Sequence, residues 1–357
     1  MCALNTRITF TEEQAMLLDT AVSFCRDKSP VSAVRRLIDT DTGFDAAIWQ
    51  AIVELGWTGI AVPEAFGGSG LSLAEVATIT EPMGRSLLAT PFVSTQVFTR
   101  ALVASGHEAL QATVLPDVCA GAIGTVALTE PDGDWDLRHP GCTAEVTAGQ
   151  ARLSGRKTLV TDASVARYLL ASVTIAGAPA LALVETSALP AGALRREVII
   201  DETRRAWQVD LQGVVVPTAA LITGAQALAA LDGIRDAGLM LTAAEAAGGI
   251  AGALDVIVAY LNLRTTFGRK IGTYQSLKHT AADILISLER SRSHVYHAAT
   301  LLRDGDDAEV ALRMAKVEAC DGMAFAGDRA VQFHGGFGFT YECDAQLYLR
   351  RALWLQY

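Results

Sequence analysis

The sequence lacks the features that mark several large classes of protein. It has no fixed-period repeat, no low-complexity tract and no flexible linker, which excludes a solenoid and a disordered chain. Its six cysteines show no CxxC spacing. A zinc ribbon and a small disulfide scaffold are therefore excluded, and the cytoplasm is the predicted compartment. No set of His, Cys, Asp and Glu residues has metal-ligand spacing, and we predict no metal site.

Positive charge and long apolar runs are also scarce. The formal net charge of −10 leaves no field that attracts a polyanion, so no nucleic-acid partner is predicted. The first ten residues, MCALNTRITF, lack the charged and apolar regions of a signal peptide. The most apolar stretch, Tyr168 to Val184, is shorter than the roughly 20 residues of a membrane span. Because Gly177-Ala178-Pro179 interrupts it, we predict two buried strands and no membrane span.

Apolar residues make up 51% of the 357 residues, which is enough for two or three domains with packed cores. The first third of the chain carries helical signals. Thr11 with Gln14, and Ser72 with Glu75, have the spacing of a capping box at a helix start. We therefore predict a helical N-terminal domain over residues 1–121.

The middle of the chain changes to short β-rich runs separated by turns that contain glycine. The predicted strands are Thr125 to Thr129, Thr143 to Thr147, Ala151 to Ser154, Tyr168 to Ile175, Ala180 to Val184 and Trp207 to Val216. Together they predict a small antiparallel barrel or sandwich over residues 122–221.

Helical spacing returns after residue 221. Helices are predicted from about Leu231 to Leu263, from Thr273 to Arg303 and from Val310 to Phe333, and their alanines and glycines favour close antiparallel packing. Residues 222–357 are therefore predicted to form a helical bundle domain. The order of the chain is helices, sheet, helices.

A cluster of cations follows the first of these long helices, in the segment Arg264-Thr265-Thr266-Phe267-Gly268-Arg269-Lys270. Three cations, two hydroxyls and an aromatic ring suit a ligand with a diphosphate and an adenine. Gly268 is predicted to be the left-handed cap that ends the helix. Taken alone, the segment is better explained as a capped helix whose cations are solvated and favour its C-terminus.

A cluster of glycines follows the last long helix, in the segment Gln332-Phe333-His334-Gly335-Gly336-Phe337-Gly338-Phe339. It contains a GxG, but it follows a helix rather than a strand, so a dinucleotide-binding Rossmann loop is excluded. The glycines allow a sharp turn between helices or the close approach of a ligand to backbone N–H groups. His334 is predicted to pack at an interface rather than to take part in catalysis.

Four segments in this order resemble the acyl-CoA dehydrogenase family along nearly the whole chain. They are GWTGIAVPEAFGGSGLSLAE, ALTEP, RTTFGRKIGTYQSLKH and QFHGGFGFTYE. The resemblance implies an α+β multidomain fold with a helical N-domain, a β-barrel middle domain and a C-terminal four-helix bundle, with FAD held across a subunit interface. The short chain resembles bacterial members that act on bulky acyl-CoA substrates such as sterol side chains.

The resemblance also implies a set of residues that bind the flavin. Leu159 stands where the family usually has an aromatic residue. The matching positions in this sequence are Leu128, Thr129, Leu159, Thr161, Arg264, Thr266, Phe267, Gln275, Gln332, Gly335 and Gly336. In the family reaction a glutamate removes the α-proton of an acyl-CoA, a hydride leaves the β-carbon for the flavin, and the electrons pass to an electron-transferring flavoprotein.

The family's usual positions for the catalytic base are empty in this sequence. One follows the RDA-like segment Arg350-Arg351-Ala352, and the sequence stops at Tyr357 before reaching it. The other corresponds to Gly238, which with Asp236 matches the substrate side of the site. The remaining acid is Glu245, two helical turns beyond Gly238, where burial would raise the pKa of its carboxyl towards that of a base. A structural glutamate bonded to a neighbouring helix is the alternative.

Three functions stay open from the sequence. The first is an acyl-CoA dehydrogenase of fatty acid or sterol catabolism, working as a homo-oligomer or in a heterotetramer with a homologous subunit. The second is a non-catalytic subunit that completes the FAD site of such a partner. The third is another flavin oxidase or monooxygenase on the same fold, because Thr129-Glu130-Pro131 continues as Asp132-Gly133-Asp134-Trp135-Asp136 instead of the family's Gly-Ser-Asp.

Overall fold

The structure, a computed structural model, describes residues 12–356. Helices come first, as predicted. Ser72 caps the helix Leu73–Arg85, and its backbone N–H donates to the Glu75 carboxylate, so the capping box predicted there is confirmed. Thr11 of the other predicted box lies outside the described residues. The helices are α1 (Glu12–Lys28), α2 (Val31–Ile38), α3 (Ala46–Glu54), α4 (Leu73–Arg85), α5 (Phe92–Ser105) and α6 (Glu108–Cys119).

Ten strands form the middle of the chain. They are β1 (Gly124–Ala127), β2 (Thr143–Thr147), β3 (Gln150–Ser154), β4 (Arg156–Thr161), β5 (Tyr168–Ile175), β6 (Ala178–Glu185), β7 (Leu194–Glu197), β8 (Ala206–Asp210), β9 (Val215–Pro217) and β10 (Leu221–Ile222). The apolar stretch from residue 168 is the buried hairpin β5–β6, as predicted. The single strand predicted over Trp207 to Val216 is wrong, because the chain turns at Gly213 (φ +79°) and divides it into β8 and β9.

The strands form two sheets. The larger has the order β10-β6-β5-β2-β3-β9, and β1 pairs in parallel with β5. The smaller has the order β4-β8-β7 and is antiparallel. Strands β4 and β7 were not predicted, because a bulge interrupts the alternation of β4, and β7 is short and carries two exposed arginines.

The C-terminal part is helical apart from one small hairpin. Its elements are α7 (Gly224–Leu263), β11 (Thr265–Thr266), β12 (Arg269–Lys270), α8 (Gln275–Asp304), α9 (Glu309–Phe333) and α10 (Ala345–Leu355). The α7 helix is long and apolar enough to cross a membrane, but 56% of its most apolar window is buried inside the protein, which is typical of a core helix.

The chain forms two compact units. One contains residues 12–35, 72–88 and 239–356, and therefore combines α1 and α4 with the C-terminal helices. The other contains residues 36–71 and 89–238, with the two β-sheets. The three predicted domains, 1–121, 122–221 and 222–357, stay a prediction. The first predicted boundary falls between α6 and β1, and the second falls within the two-residue strand β10.

Glycines bring α4 and α7 into backbone contact within the first unit. A Cβ atom at Gly84 would lie 2.0 Å from the carbonyl oxygen of Glu245, and one at Gly248 would lie 1.8 Å from that of Glu81. Any larger residue would clash with a backbone atom that cannot move aside. The small residues of α7 therefore allow close helix packing against α4, a contact that the sequence did not predict.

Candidate functional site

Four of the predicted flavin residues lie on two adjacent segments at the edge of the small sheet. They are Leu128 and Thr129, just after β1, and Leu159 and Thr161 in β4, and we call them the barrel-edge group. The Thr129 hydroxyl donates to the carbonyl of Thr158 at 2.5 Å, and the Thr158 N–H donates to the carbonyl of Thr129 at 2.9 Å. These bonds fix the two segments to each other.

Leu159 has an unusual backbone conformation. Its φ is +53°, a left-handed value that costs a residue with a Cβ roughly 1–2 kcal/mol, and its side chain is 40% exposed. The cause is a β-bulge, because the pairing of β4 with β8 shifts between Lys157 and Val160. Strain of this kind concentrates at functional sites.

A buried ion pair lies next to the barrel-edge group and stabilises it. Lys157 is fully buried, and its ammonium donates to the Glu130 carboxylate at 2.6 Å, to the Ser172 hydroxyl and to the carbonyl of Leu128. Burial would raise the pKa of Glu130, but the hydrogen bonds from Lys157 and the Cys142 N–H outweigh it and hold that pKa below its usual value. The carboxylate also accepts from Gly141, so it closes the loop of residues 131–141.

The acids of this loop stabilise the loop itself. The carboxylates of Asp132, Asp134 and Asp136 each accept the backbone N–H two residues further on, at 2.9–3.3 Å. Trp135 between them is 57% exposed. The loop that replaces the family's Gly-Ser-Asp is therefore built from successive Asx turns.

The other predicted flavin residues lie at one end of the helical unit, and we call them the bundle-end group. They are Arg264, Thr266, Phe267, Gln275, Gln332, Gly335 and Gly336. The prediction that Gly268 caps a helix is wrong. Phe267 (φ +52°) and Gly268 (φ +76°) are the two central residues of the hairpin turn between β11 and β12, and two consecutive positive φ values are typical of a type I′ turn.

The three cations of this segment differ in their partners. The Arg269 guanidinium lies 4.1 Å from the centre of the Tyr274 ring, and Lys270 donates to the carbonyl of Leu263. Within residues 12–356, no side chain or carbonyl pairs with the Arg264 guanidinium. Phe267 is 92% exposed at the tip of the turn. A free guanidinium and an exposed ring lie three residues apart.

The rest of the bundle-end group lies at helix ends. Gln275 begins α8, and Gln332 is exposed in the last turn of α9. Beyond it, Gly335 has φ +60°, and a Cβ atom there or at Gly336 would meet no other atom within 4 Å. His334 is buried, stacks on Tyr260 at 4.0 Å and bonds the carbonyl of Ala330 through Nδ1.

The predicted substrate residues lie on α7 in the sheet-containing unit. Asp236 forms an ion pair at 2.9 Å with its neighbour Arg235, which also contacts Asp232. A Cβ atom at Gly238 would meet nothing within 4 Å, so the helix is open at this position. Gly238 thus lies beside free space, and Asp236 lies on a partly exposed surface.

The carboxylate of Glu245 is buried and paired, whereas a catalytic base needs a carboxylate that is free to accept a proton. Glu245 is 3% exposed, and its carboxylate is paired with the guanidinium of Arg351 on α10, which is fully buried. Protonation of Glu245 would neutralise the anionic partner of a buried cation, which costs several kcal/mol. The geometry therefore favours the structural alternative, a glutamate bonded to a neighbouring helix.

Three charged residues that organise these sites have no predicted role. Arg351 is the partner of Glu245, Lys157 anchors Glu130, and Glu197 accepts bonds from the bulge in β4. The first pair joins residues 106 positions apart, and no local sequence signal marks it. The other two depend on strand pairings that were not predicted.

Comparison with known proteins identifies the family. Residues 11–122 match the family model for the acyl-CoA dehydrogenase N-terminal domain, and residues 236–357 match the one for the C-terminal domain. Acyl-CoA dehydrogenase FadE12 of Mycobacterium tuberculosis is 30% identical over 308 residues, which are 83% of this chain and 79% of that protein. Acyl-CoA dehydrogenase IpdE2 of Mycolicibacterium smegmatis is 28% identical over 96% of this chain and 93% of its own.

Solved structures agree in fold. A variant of the Tcur3481-Tcur3483 steroid ACAD has a TM-score of 0.86 at 31% identity and covers 96% of this chain and 92% of that one. Butyryl-CoA dehydrogenase from Megasphaera elsdenii has a TM-score of 0.87 at 22% identity and covers 98% and 95%. The predicted fold of helical N-domain, β-barrel middle domain and C-terminal helical bundle is confirmed. The chain belongs to the acyl-CoA dehydrogenase family of oxidoreductases.

Proposed function

We propose that this chain binds FAD and takes part in the α,β-dehydrogenation of an acyl-CoA thioester. The proposal rests on one observation. The free guanidinium of Arg264 and the exposed ring of Phe267 lie close together in sequence at one strained hairpin. Arg264 has no partner in the described part of the chain, and Phe267 is 92% exposed. A diphosphate would neutralise the guanidinium, and an adenine ring would cover the phenyl group.

The barrel-edge group fits the other end of the same cofactor. Its two threonines offer hydroxyl groups and its two leucines offer apolar contact, on a backbone held by the pairing of Thr129 with Thr158. Bound flavin supplies the redox chemistry of the reaction. The barrel-edge group of one chain and the bundle-end group of a neighbouring chain would hold it, so the active form is an oligomer.

The substrate side of the proposal rests on Asp236 and Gly238. Gly238 leaves its position on α7 open, which suits a bulky acyl group. The steroid ACAD at 31% identity supports a sterol side chain or a similarly bulky acyl-CoA as the substrate class. We further propose that the electrons pass to an electron-transferring flavoprotein, and that the protein works in the cytoplasm.

A second candidate function is favoured by the ion pair between Glu245 and Arg351. If that pair is structural, the proton acceptor comes from another chain, and this chain completes the FAD site of a homologous catalytic subunit. The two functions share the cofactor contacts and the fold. They differ in whether the homomer can remove the α-proton.

Activity with and without a partner separates the two candidates. The chain is purified alone and after co-expression with a homologous acyl-CoA dehydrogenase, and each sample is mixed anaerobically with a bulky acyl-CoA. Flavin reduction by the homomer supports the first function and excludes the second. Reduction only by the mixed complex supports the second. FAD-loaded samples that are not reduced in either form would contradict both.

A further inference from the structure

We infer that Glu197 is a positioning residue, which holds the bulge of β4 in the conformation that presents Leu159 and Thr129 to the flavin. The identity of the cofactor rests on the proposed function. The claim that Glu197 fixes the bulge of β4 rests on the geometry of the small sheet. Glu197 is the last residue of β7 and matched no motif in the sequence.

The bulge leaves one backbone donor without a partner in the sheet. Arg156 and Lys157 pair with Asp210 and Val209, and Val160 pairs with Trp207. Two residues, Thr158 and Leu159, therefore face a single residue of β8, which is the arrangement of a β-bulge. The extra residue of such a bulge loses its ladder hydrogen bond, and its left-handed form is usually taken by glycine rather than leucine.

The Glu197 carboxylate supplies the missing partner. One of its oxygens accepts the backbone N–H of Leu159 at 2.6 Å, and the other accepts the hydroxyl of Thr158 at 2.6 Å. In the sheet order β4-β8-β7, the strand β8 separates Glu197 from the bulge, so the side chain reaches across a whole strand to make both bonds. Hydrogen bonds to an ionised carboxylate are the stronger kind.

Glu197 also restrains Thr129, through Thr158. The backbone of Thr158 exchanges two hydrogen bonds with Thr129, so fixing Thr158 also fixes Thr129. Glu197 thus acts on the two segments of the barrel-edge group at once. Glu197 is only half-buried, and its two short hydrogen bonds go to the Thr158 hydroxyl and to the backbone N–H of the strained, exposed Leu159.

Two measurements on one set of variants test the inference. Hydrogen exchange of the Leu159 amide is measured in the flavin-free protein, and the FAD dissociation constant is measured by flavin fluorescence. Glu197→Ala should accelerate the exchange at least tenfold and weaken FAD binding about tenfold. Thr158→Val, which removes only the hydroxyl, should weaken FAD binding by a smaller factor. Glu145→Ala, on an exposed site of β2, is the control and should change neither quantity.

The outcomes separate this inference from the proposed function. Unchanged exchange in Glu197→Ala would show that the carboxylate does not hold the bulge. Faster exchange in Glu197→Ala with FAD affinity within twofold of the wild type would show that the carboxylate fixes the bulge but does not position the flavin site. If the wild type binds no FAD, the proposed function and the positioning role both fail. The exchange result still shows whether Glu197 fixes the bulge. Should Glu197→Ala fail to fold, Glu197→Gln, which keeps the size and loses the charge, is measured in its place.

Discussion

At the scale of single residues, the environment of Glu245 decides what its substitution will do. The carboxylate is buried against the fully buried guanidinium of Arg351. Two opposite charges in an apolar helix bundle stabilise each other only while both are present, and removing one exposes the full desolvation cost of the other. The same residue would behave differently if its carboxylate took protons from a substrate.

Glu245→Gln should lower the stability of the protein by roughly 3–5 kcal/mol, because it removes the carboxylate that pairs with the buried guanidinium of Arg351. The measurement is the thermal melting temperature of the flavin-free chain. Glu309→Gln is the matched control, since Glu309 pairs with Arg313 on the exposed surface of α9 and its loss should cost less than about 1 kcal/mol. Unchanged melting with complete loss of flavin reduction would instead establish Glu245 as the base.

Arg264 is the second residue with a clear expected effect. Arg264→Ala should release FAD because it removes a charge-assisted contact to a phosphate, worth on the order of 1.5–3 kcal/mol or about 10- to 100-fold in the dissociation constant. Flavin fluorescence after dilution measures the release. Arg313→Ala removes another exposed arginine of the same unit and should leave flavin bound. Equal retention in the two variants would show that the diphosphate lies elsewhere.

At the scale of elements, regular periodicity made several helices and strands predictable. The bounds of α8 and α9 lie within two residues of the prediction, and β2 and β5 have the predicted bounds, because their apolar periodicity is a local signal. The helix α7 begins at Gly224 instead of about Leu231. The strand β4 was missed because its bulge breaks the period of two. The ion pair of Glu245 with Arg351 joins residues 106 positions apart, so nothing local in the sequence indicates it. The turn at Gly268 was misassigned because a cap and a type I′ turn both favour glycine.

Two glycines of α7 provide a matched test of the helix packing. Gly248→Ala places a methyl group 1.8 Å from a backbone oxygen of α4, so it should separate the helices and cost about 1–3 kcal/mol or more. Gly238→Ala places the same group in open space on the same helix and should stabilise it by up to about 1 kcal/mol. Melting temperatures that rise in both variants would show that α4 and α7 are not in backbone contact.

At the scale of the whole molecule, the barrel-edge group and the bundle-end group lie in different compact units, and we propose that FAD is held between subunits. The exposed face of α9 is consistent with a partner, since Val310, Met314 and Val317 are 69%, 51% and 58% exposed in the single chain. We therefore expect an oligomer whose dissociation on dilution releases flavin. Light scattering coupled to flavin absorption checks this, and a stable monomer with a full complement of FAD would contradict it.

The proposed function is tested most directly by an anaerobic titration of the FAD-loaded oligomer, purified with its homologous partner subunit if it needs one, with a bulky acyl-CoA. The account predicts that the oxidised flavin spectrum disappears as the thioester is added, and that the 2,3-unsaturated acyl-CoA forms in equal amount. A flavin that stays oxidised when saturated with acyl-CoA, but reacts with a substrate that is not a thioester, would contradict it.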